Sequence, residues 1–153
     1  MLLRRLFVLL TLMFWQGGFM FYGGVVVPVG ADILGSDREQ GFITQRVTDY
    51  LNAAGAVALL VWGWDTAAGR GRRIRWAAWG LLVAMLGVQV GLHPRMDALL
   101  AADEGRVLDR PAFRRLHQGY LLASTVQWAA ALGLLAATLR AWRAEDDPSR
   151  VKR

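Results

Sequence analysis

Four apolar segments constrain the fold of this chain more than any other feature of its sequence. A helix rises about 1.5 Å per residue, so roughly 20 residues cross the hydrocarbon core of a bilayer. The first and last segments are long enough for this, and the middle two need their flanking residues or a tilt. The sequence therefore predicts an all-α, integral membrane four-helix bundle with transmembrane helices at about 6–30, 48–66, 75–93 and 116–140.

Composition supports a single membrane domain over residues 1–153, with a charged tail at 141–153. The chain is 55% hydrophobic, above the roughly 45–50% usual in soluble domains. It has no cysteine, which excludes disulfides and thiolate metal sites. The first apolar run is longer than the roughly 7–15 residues of a signal-peptide core, so we interpret it as a retained helix.

The charged residues predict the orientation. With a cytoplasmic N-terminus, eleven basic and four acidic residues lie inside, against seven basic and eight acidic residues outside. The loop at 69–75, GRGRRIR, is the strongest single signal. We therefore expect both termini in the cytoplasm of a bacterium, a multi-pass protein of the inner membrane, and contact with its anionic inner leaflet. No groove-reading element is visible, so nucleic acid is not an expected partner.

Helical extensions are expected on the outer face. Ser36 and Glu39 have the spacing of a capping box, in which Ser36 caps the second helix and Glu39 reaches back to the Ser36 amide. Asp109, followed by Pro111, predicts that the fourth helix begins before Phe113. Pro94 is expected to interrupt the third helix, with a short turn or helix at 96–102.

Small residues recur at helix-packing intervals. Gly87 and Gly91 form a GxxxG pattern, and residues 129, 133 and 137 repeat small side chains every four positions. Gln16 and Gln127 each lie about 15 Å from a helix end, near the midplane of the membrane. Because an unpaired amide is costly at that depth, we expect both side chains to face the bundle interior as an intramembrane polar pair.

A second set of polar residues forms a seam near the outer surface. On the fourth helix these polar residues are His117, Tyr120, Ser124 and Gln127, which span only about 80° of its circumference. On the third helix, Gln89 and His93 share a face. Interfacial hydrogen bonding is one interpretation. The alternative is a binding pocket formed by Gln89, His93, His117, Tyr120, Ser124 and Gln127. It would hold a small solute, a transition metal or haem b, with His93, His117 and Asp97 as the metal ligands available.

Several short motifs resemble the transmembrane protein 205-like group of small four-helix membrane proteins, whose bacterial members are largely uncharacterised. The likeness lies in VVVPV at the end of the first helix, GFITQRV entering the second, HPRMDALL after the third and FRRLH opening the fourth. The resemblance implies a four-helix integral membrane protein. It makes Pro28, Pro94, Phe113 and His117 the positions most like the family pattern.

No GxSxG motif or phosphate-binding glycine loop is present in the sequence. We therefore expect a non-enzymatic membrane protein without a cofactor, acting as an accessory or assembly subunit or as a homo-oligomeric scaffold. Such a role implies a second copy or another membrane protein as partner. The alternative is an outward-facing pocket for a small solute, a metal or haem, with a transport or redox role based on His93 and His117.

Overall fold

The computed structural model of the protein describes residues 1–69, 72–101 and 106–147. The described part of the chain is dominated by four long helices. A two-residue strand, Leu100–Ala101 (β1), pairs antiparallel with Arg106–Val107 (β2) between the last two. The helices are α1 Leu2–Leu34, α2 Asp37–Ala68, α3 Arg72–Asp97 and α4 Arg110–Asp146.

Helix α1 is continuous but contains two π-helical turns, Met13–Gly17 and Tyr22–Val26. The second lies immediately before Pro28, which has no N–H to donate to the preceding turn. Wider π turns are one way for a helix to accommodate such an interruption. The helix ends at Leu34, and the following Gly35 has a φ of 62°, in the left-handed region favoured by glycine.

The predicted helix caps are present, with one difference at Ser36. Its Oγ accepts a hydrogen bond from the Glu39 amide at 3.2 Å, as predicted. The Ser36 amide, however, donates to the Ala31 carbonyl and closes the turn from α1, so it does not bond the Glu39 side chain. At α4, Asp109 Oδ1 accepts from the Ala112 amide at 2.9 Å, and the helix begins before Phe113 as expected.

The predicted interruption at Pro94 is wrong. Helix α3 continues through Pro94 to Asp97. Because Pro94 lies in the last turn, its missing N–H removes only one bond near a terminus that frays in any case. The expected turn within 96–102 is present in part: the Leu99 amide donates to the Met96 carbonyl at 3.0 Å, and this turn leads from the end of α3 into β1. Residues 102–105 lie outside the described part of the chain.

The helices run back and forth between two ends of the molecule. The termini end carries Leu2, Ala68 and Asp146, and the far end carries Leu34, Asp97 and Arg110. Helix α1 packs along α2, α2 packs on α3, and α3 packs most extensively on α4. Apolar side chains fill the half near the termini end, including Val8, Trp15, Leu59, Trp62, Leu82 and Leu134.

Among the described residues, α1, α3 and α4 are long and apolar enough to cross a membrane, with mean hydropathies of 1.5, 1.4 and 1.5. In the most apolar 18-residue stretch of each helix, only 22%, 22% and 33% of the stretch, respectively, is buried inside the protein. These outward apolar surfaces are those of an integral membrane protein, because lipid and not water can cover them. Helix α2 is not in this set. Its far-end half carries Glu39, Arg46 and Asp49, which leaves a short apolar run.

Candidate functional site: a cavity at the far end

A cavity of about 410 Å³ lies at the far end, where the apolar core stops. All four helices contribute to its wall. Its lining on α1 and α2 extends from Phe19 to Ala31 and from Gln40 to Leu51. The remainder is formed by His93, Met96, Asp97, Leu100, Phe113, His117, Tyr120 and Leu121. At 1.5 Å per residue, the α1 wall alone is about 18 Å long.

His93 connects α3 to α2 on the cavity wall. Its Nδ1 lies 3.1 Å from Asp97 Oδ2, one turn further along α3, and 3.4 Å from Asp49 Oδ1 on α2. The His93 side chain is only 10% exposed, whereas Asp49 is 56% exposed. A nearly buried imidazole is therefore held between two carboxylates, with Asp97 as the one that lines the cavity.

Hydroxyl and amide groups connect α1 to α2 on the opposite wall. Gln40 Nε2 donates to Tyr22 Oη at 3.3 Å, and Tyr22 Oη donates to Thr44 Oγ1 at 3.2 Å. Thr44 Oγ1 in turn donates to the Gln40 carbonyl at 2.8 Å. A Cβ added at Gly30 would lie 1.9 Å from Gln40 Oε1, so glycine at this position is what allows the Gln40 side chain to lie against α1.

Helix α4 contributes the aromatic part of the wall. The rings of Phe113 and His117, one turn apart, are stacked with centroids 6.0 Å apart and an interplanar angle of 9°. Tyr120 is buried, and its Oη donates to Asn52 Oδ1 at 3.4 Å. The cavity thus combines rings and aliphatic side chains with a few polar groups held in fixed positions, which is the usual composition of a ligand pocket.

The structure divides the predicted pocket residues into two groups. His93, His117 and Tyr120 line the cavity. Gln89, Ser124 and Gln127 do not: all three are buried, and Gln89 and Ser124 meet between α3 and α4. Gln89 Nε2 donates to Ser124 Oγ at 2.9 Å, and Ser124 Oγ donates to the Tyr120 carbonyl at 2.8 Å. The deep part of the predicted seam therefore joins helices.

No hydrogen bond joins Gln16 and Gln127, the predicted intramembrane polar pair. Both side chains are buried, at 8% and 2% exposed, as expected. Neither Nε2 has a hydrogen-bond partner, although a bond between two glutamines requires one of these groups as donor. Because α1 packs mainly along α2 and α4 packs mainly on α3, the two amides do not meet.

The predicted metal ligands do not form a metal site. Within 1–69, 72–101 and 106–147, no group of three His, Asp or Glu side chains is arranged so that it could hold a metal ion. The set His93, His117 and Asp97 therefore fails as a three-ligand centre. His93 Nδ1 instead faces the two carboxylates described above. The haem b alternative stays a prediction.

The expected small-residue contacts are also absent. A Cβ added at Gly87, Gly91 or Gly133 would meet nothing within 4 Å, so these faces point away from the other described helices. Close approach occurs elsewhere. A Cβ at Gly55 would lie 2.7 Å from the Trp15 ring, because that large side chain fills the space above the glycine. Sequence spacing identifies small residues but not the helix that faces them.

Sequence reasoning missed a buried ion cluster at the termini end. Asp65 is 0% exposed, and its Oδ1 lies 2.7 Å from Arg4 Nε. The buried Arg75 guanidinium pairs with Asp65 Oδ2, and Trp142 Nε1 donates to the same oxygen at 3.2 Å. The cluster thus joins all four helices. The available signal was the position of Asp65 as the one acidic residue in the sequence between Asp49 and Asp97.

A second layer of charges lies over this cluster. Arg5 pairs with Asp146 at 2.6 Å and with Glu145 at 3.3 Å, and its guanidinium lies 5.3 Å from the centre of the Trp142 ring. Arg4, Arg5 and Arg75 were interpreted from the sequence as orientation signals. In the structure they also attach α1 and α3 to α2 and α4.

Comparison of the chain with protein-family models, curated proteins and solved structures found no match. The resemblance to the transmembrane protein 205-like group therefore stays a prediction.

Proposed function

We propose that the protein is a four-helix bundle of the bacterial inner membrane, with both termini cytoplasmic, that binds a small molecule in its outward-facing cavity. The proposed role is binding, in transport or as an accessory function, and is non-enzymatic. The observation that carries it is the cavity of about 410 Å³. Ligand pockets usually measure about 300–1,000 Å³ and combine an apolar wall with a few polar groups.

The asymmetry of the packing supports this proposal. Large side chains such as Trp15 and Trp62 fill the interior near the termini end and are about 1% exposed. At the far end the helices are joined through polar groups, including His93 with Asp49 and Tyr22 with Thr44, around a space that remains open. Protein interiors are normally close-packed, so an opening of this size between four helices favours a binding function.

The ion cluster supports the crossing of α2. Arg4, near the start of α1, and Arg75, near the start of α3, both pair with Asp65 and therefore lie at the same end of the molecule. If α1 crosses the membrane, the chain has to return through α2 before α3 begins. The two arginines compensate the charge of Asp65, which lowers the free-energy cost of a carboxylate in a membrane-crossing helix.

Filling the cavity tests the proposed function. Gly41 lines the cavity, and a Cβ at this position would meet nothing within 4 Å. Gly41→Leu should therefore fold and occupy part of the ligand space. Gly133→Leu is the matched control, since it adds the same side chain to open space on a helix face that does not line the cavity.

The measurement is native mass spectrometry of protein purified in a mild detergent, followed by solvent extraction and identification of small molecules that co-purify. We expect a bound species with the wild type and with Gly133→Leu, and its loss with Gly41→Leu. The same bound species at equal occupancy in all three proteins would contradict a ligand site in the cavity.

A second candidate function, a homo-oligomeric scaffold, is favoured by the surface of α3. Ala77, Gly80, Ala84, Gly87 and Gly91 are exposed along this helix, and a Cβ at any of its three glycines would meet nothing within 4 Å. Within a membrane, such small-residue faces allow two helices to approach closely. A second copy of this chain is the partner that we propose for this face.

The oligomeric state in detergent tests the scaffold. Gly87→Leu combined with Gly91→Leu should convert a dimer or larger assembly into monomer, because the bulky side chains keep the helices apart. Gly17→Leu, which also adds leucine to open space but on α1, should leave the assembly unchanged. A wild-type protein that is monomeric by light scattering would contradict this candidate.

A further inference from the structure

The charge of the cavity lining restricts which molecules it can hold. Among the described residues that line the cavity, Asp97 supplies the one carboxylate, and no lysine or arginine contributes to the wall. Asp49 adds a second carboxylate immediately behind His93. Arg46 interacts electrostatically with Asp97 but does not line the cavity. His93 faces both carboxylates, so the lining does not favour an anion.

The lining is also polarised along its length. Asp97 is the last residue of α3, and its side chain is 32% exposed at the far end of the molecule. Toward the membrane interior the wall is mainly apolar, with Phe19, Leu51 and Leu121 beside the hydroxyl groups of Thr48 and Tyr120. A ligand matching this gradient has one polar end and one apolar end. From Gln45, whose side chain hydrogen-bonds Asp97, to Leu51 the α2 wall is about 9 Å long, which is room for a short extended alkyl chain.

Aromatic rings strengthen the preference for a positive group. Tyr22, Phe113 and Tyr120 line the same cavity as Asp97. The faces of aromatic rings attract ammonium groups, and more strongly where water is excluded. An apolar wall also lowers the local dielectric constant, which increases the attraction between a carboxylate and a cation.

We infer that the cavity binds single-chain cationic amphiphiles, with an alkylammonium head at Asp97 and the chain directed toward Phe19 and Leu51. This inference rests on the proposed function, since it names the ligand class of the same cavity. The carboxylate and the aromatic rings favour a positively charged head group, and the apolar inner part of the cavity binds the alkyl chain.

The test compares octylammonium, octanol and octanoate, which share a chain and differ in head-group charge. Their affinities for the purified protein are measured by isothermal titration calorimetry below the concentrations at which they form micelles. We expect octylammonium to bind about tenfold more tightly than octanoate, the difference that one charged contact contributes. Octanol should lie between them.

Two variants test whether Asp97 causes the preference for octylammonium. Asp97→Asn removes the charge, keeps the shape and leaves an oxygen that can accept from His93, so it should abolish most of the preference for octylammonium. Asp32→Asn is the matched control: it removes the same charge from an exposed far-end residue that does not line the cavity. Its preference should equal that of the wild type.

The outcomes separate the ligand class from the site. If octanoate binds as tightly as octylammonium, or Asp97→Asn keeps the preference, the cationic class is wrong. The pocket still stands in that case provided that Gly41→Leu abolishes octanol binding. If none of the three compounds binds the wild type, or if Gly41→Leu binds them all as the wild type does, both the ligand class and the pocket are wrong.

Discussion

Arg4 and Asp65 form an ion pair of 2.7 Å between Nε and Oδ1 that joins the first turn of α1 to the last turns of α2. The carboxylate is completely buried, and the Arg4 side chain is 14% exposed. Arg75 and Trp142 approach the same carboxylate from α3 and α4. One acidic side chain therefore organises the termini end of all four helices.

Removing this carboxylate should destabilise the protein strongly. Asp65→Asn removes the buried counter-charge that Arg4 and Arg75 share, and losing one partner of a buried pair costs about 3–5 kcal/mol. We expect a large fall in the thermal unfolding midpoint in detergent. Asp146→Asn, which alters the exposed pair with Arg5, should have a much smaller effect. Equal midpoints for the two variants would show that the buried cluster does not stabilise the fold.

The contact between Gly55 and Trp15 should tolerate no larger side chain. A Cβ at Gly55 would lie 2.7 Å from the buried indole, so Gly55→Ala should cost about 1–3 kcal/mol through overpacking. Gly87→Ala provides the comparison, because its added methyl group meets nothing and alanine favours a helix by about 1 kcal/mol over glycine. Denaturant titration of both variants checks this; a Gly55→Ala protein as stable as the wild type would argue against the packing of Trp15 on α2.

Replacing Gln127 should not weaken the fold. Its Nε2 is buried without a hydrogen-bond partner, so Gln127→Leu removes an unsatisfied donor and should leave stability unchanged or raise it by about 1 kcal/mol. Gln89→Leu, which breaks the bond to Ser124, should instead cost about 0.6–1.7 kcal/mol. Unfolding in detergent distinguishes the two changes. A clear loss with Gln127→Leu would restore the predicted pairing with Gln16.

The orientation can be measured directly, because the chain contains no cysteine. Ala98→Cys places a thiol at the exposed far end, and Leu2→Cys places one at the exposed termini end. In intact cells, a membrane-impermeant maleimide should label the first variant and should label the second only after the membrane is broken. The reverse labelling pattern would show that the far end is cytoplasmic.

The sequence predicted the fold where local chemistry decides it. Ser36 and Asp109 mark the starts of α2 and α4 because a side-chain oxygen needs only the amide three residues later. Pro94 shows the limit of such local rules, since a proline in the last turn of a helix does not end it. Helical spacing predicted that His117 and Tyr120 share a face, and His93 was grouped with them because it lies at the same end of the preceding helix; all three line the cavity.

The sequence did not predict which helix faces pack against one another. The sequence alone determined the apolar surfaces of α1, α3 and α4, the helix starts and the polar character of the far end, since these depend on residue type and spacing within one helix. The tertiary structure decided that Gln16 and Gln127 stay apart, that the Gly87 and Gly91 face is free, and that Asp65 gathers Arg4, Arg75 and Trp142. Each of these depends on how helices are rotated against one another. The side chains of several helices fix that rotation together, and spacing along one helix does not contain it.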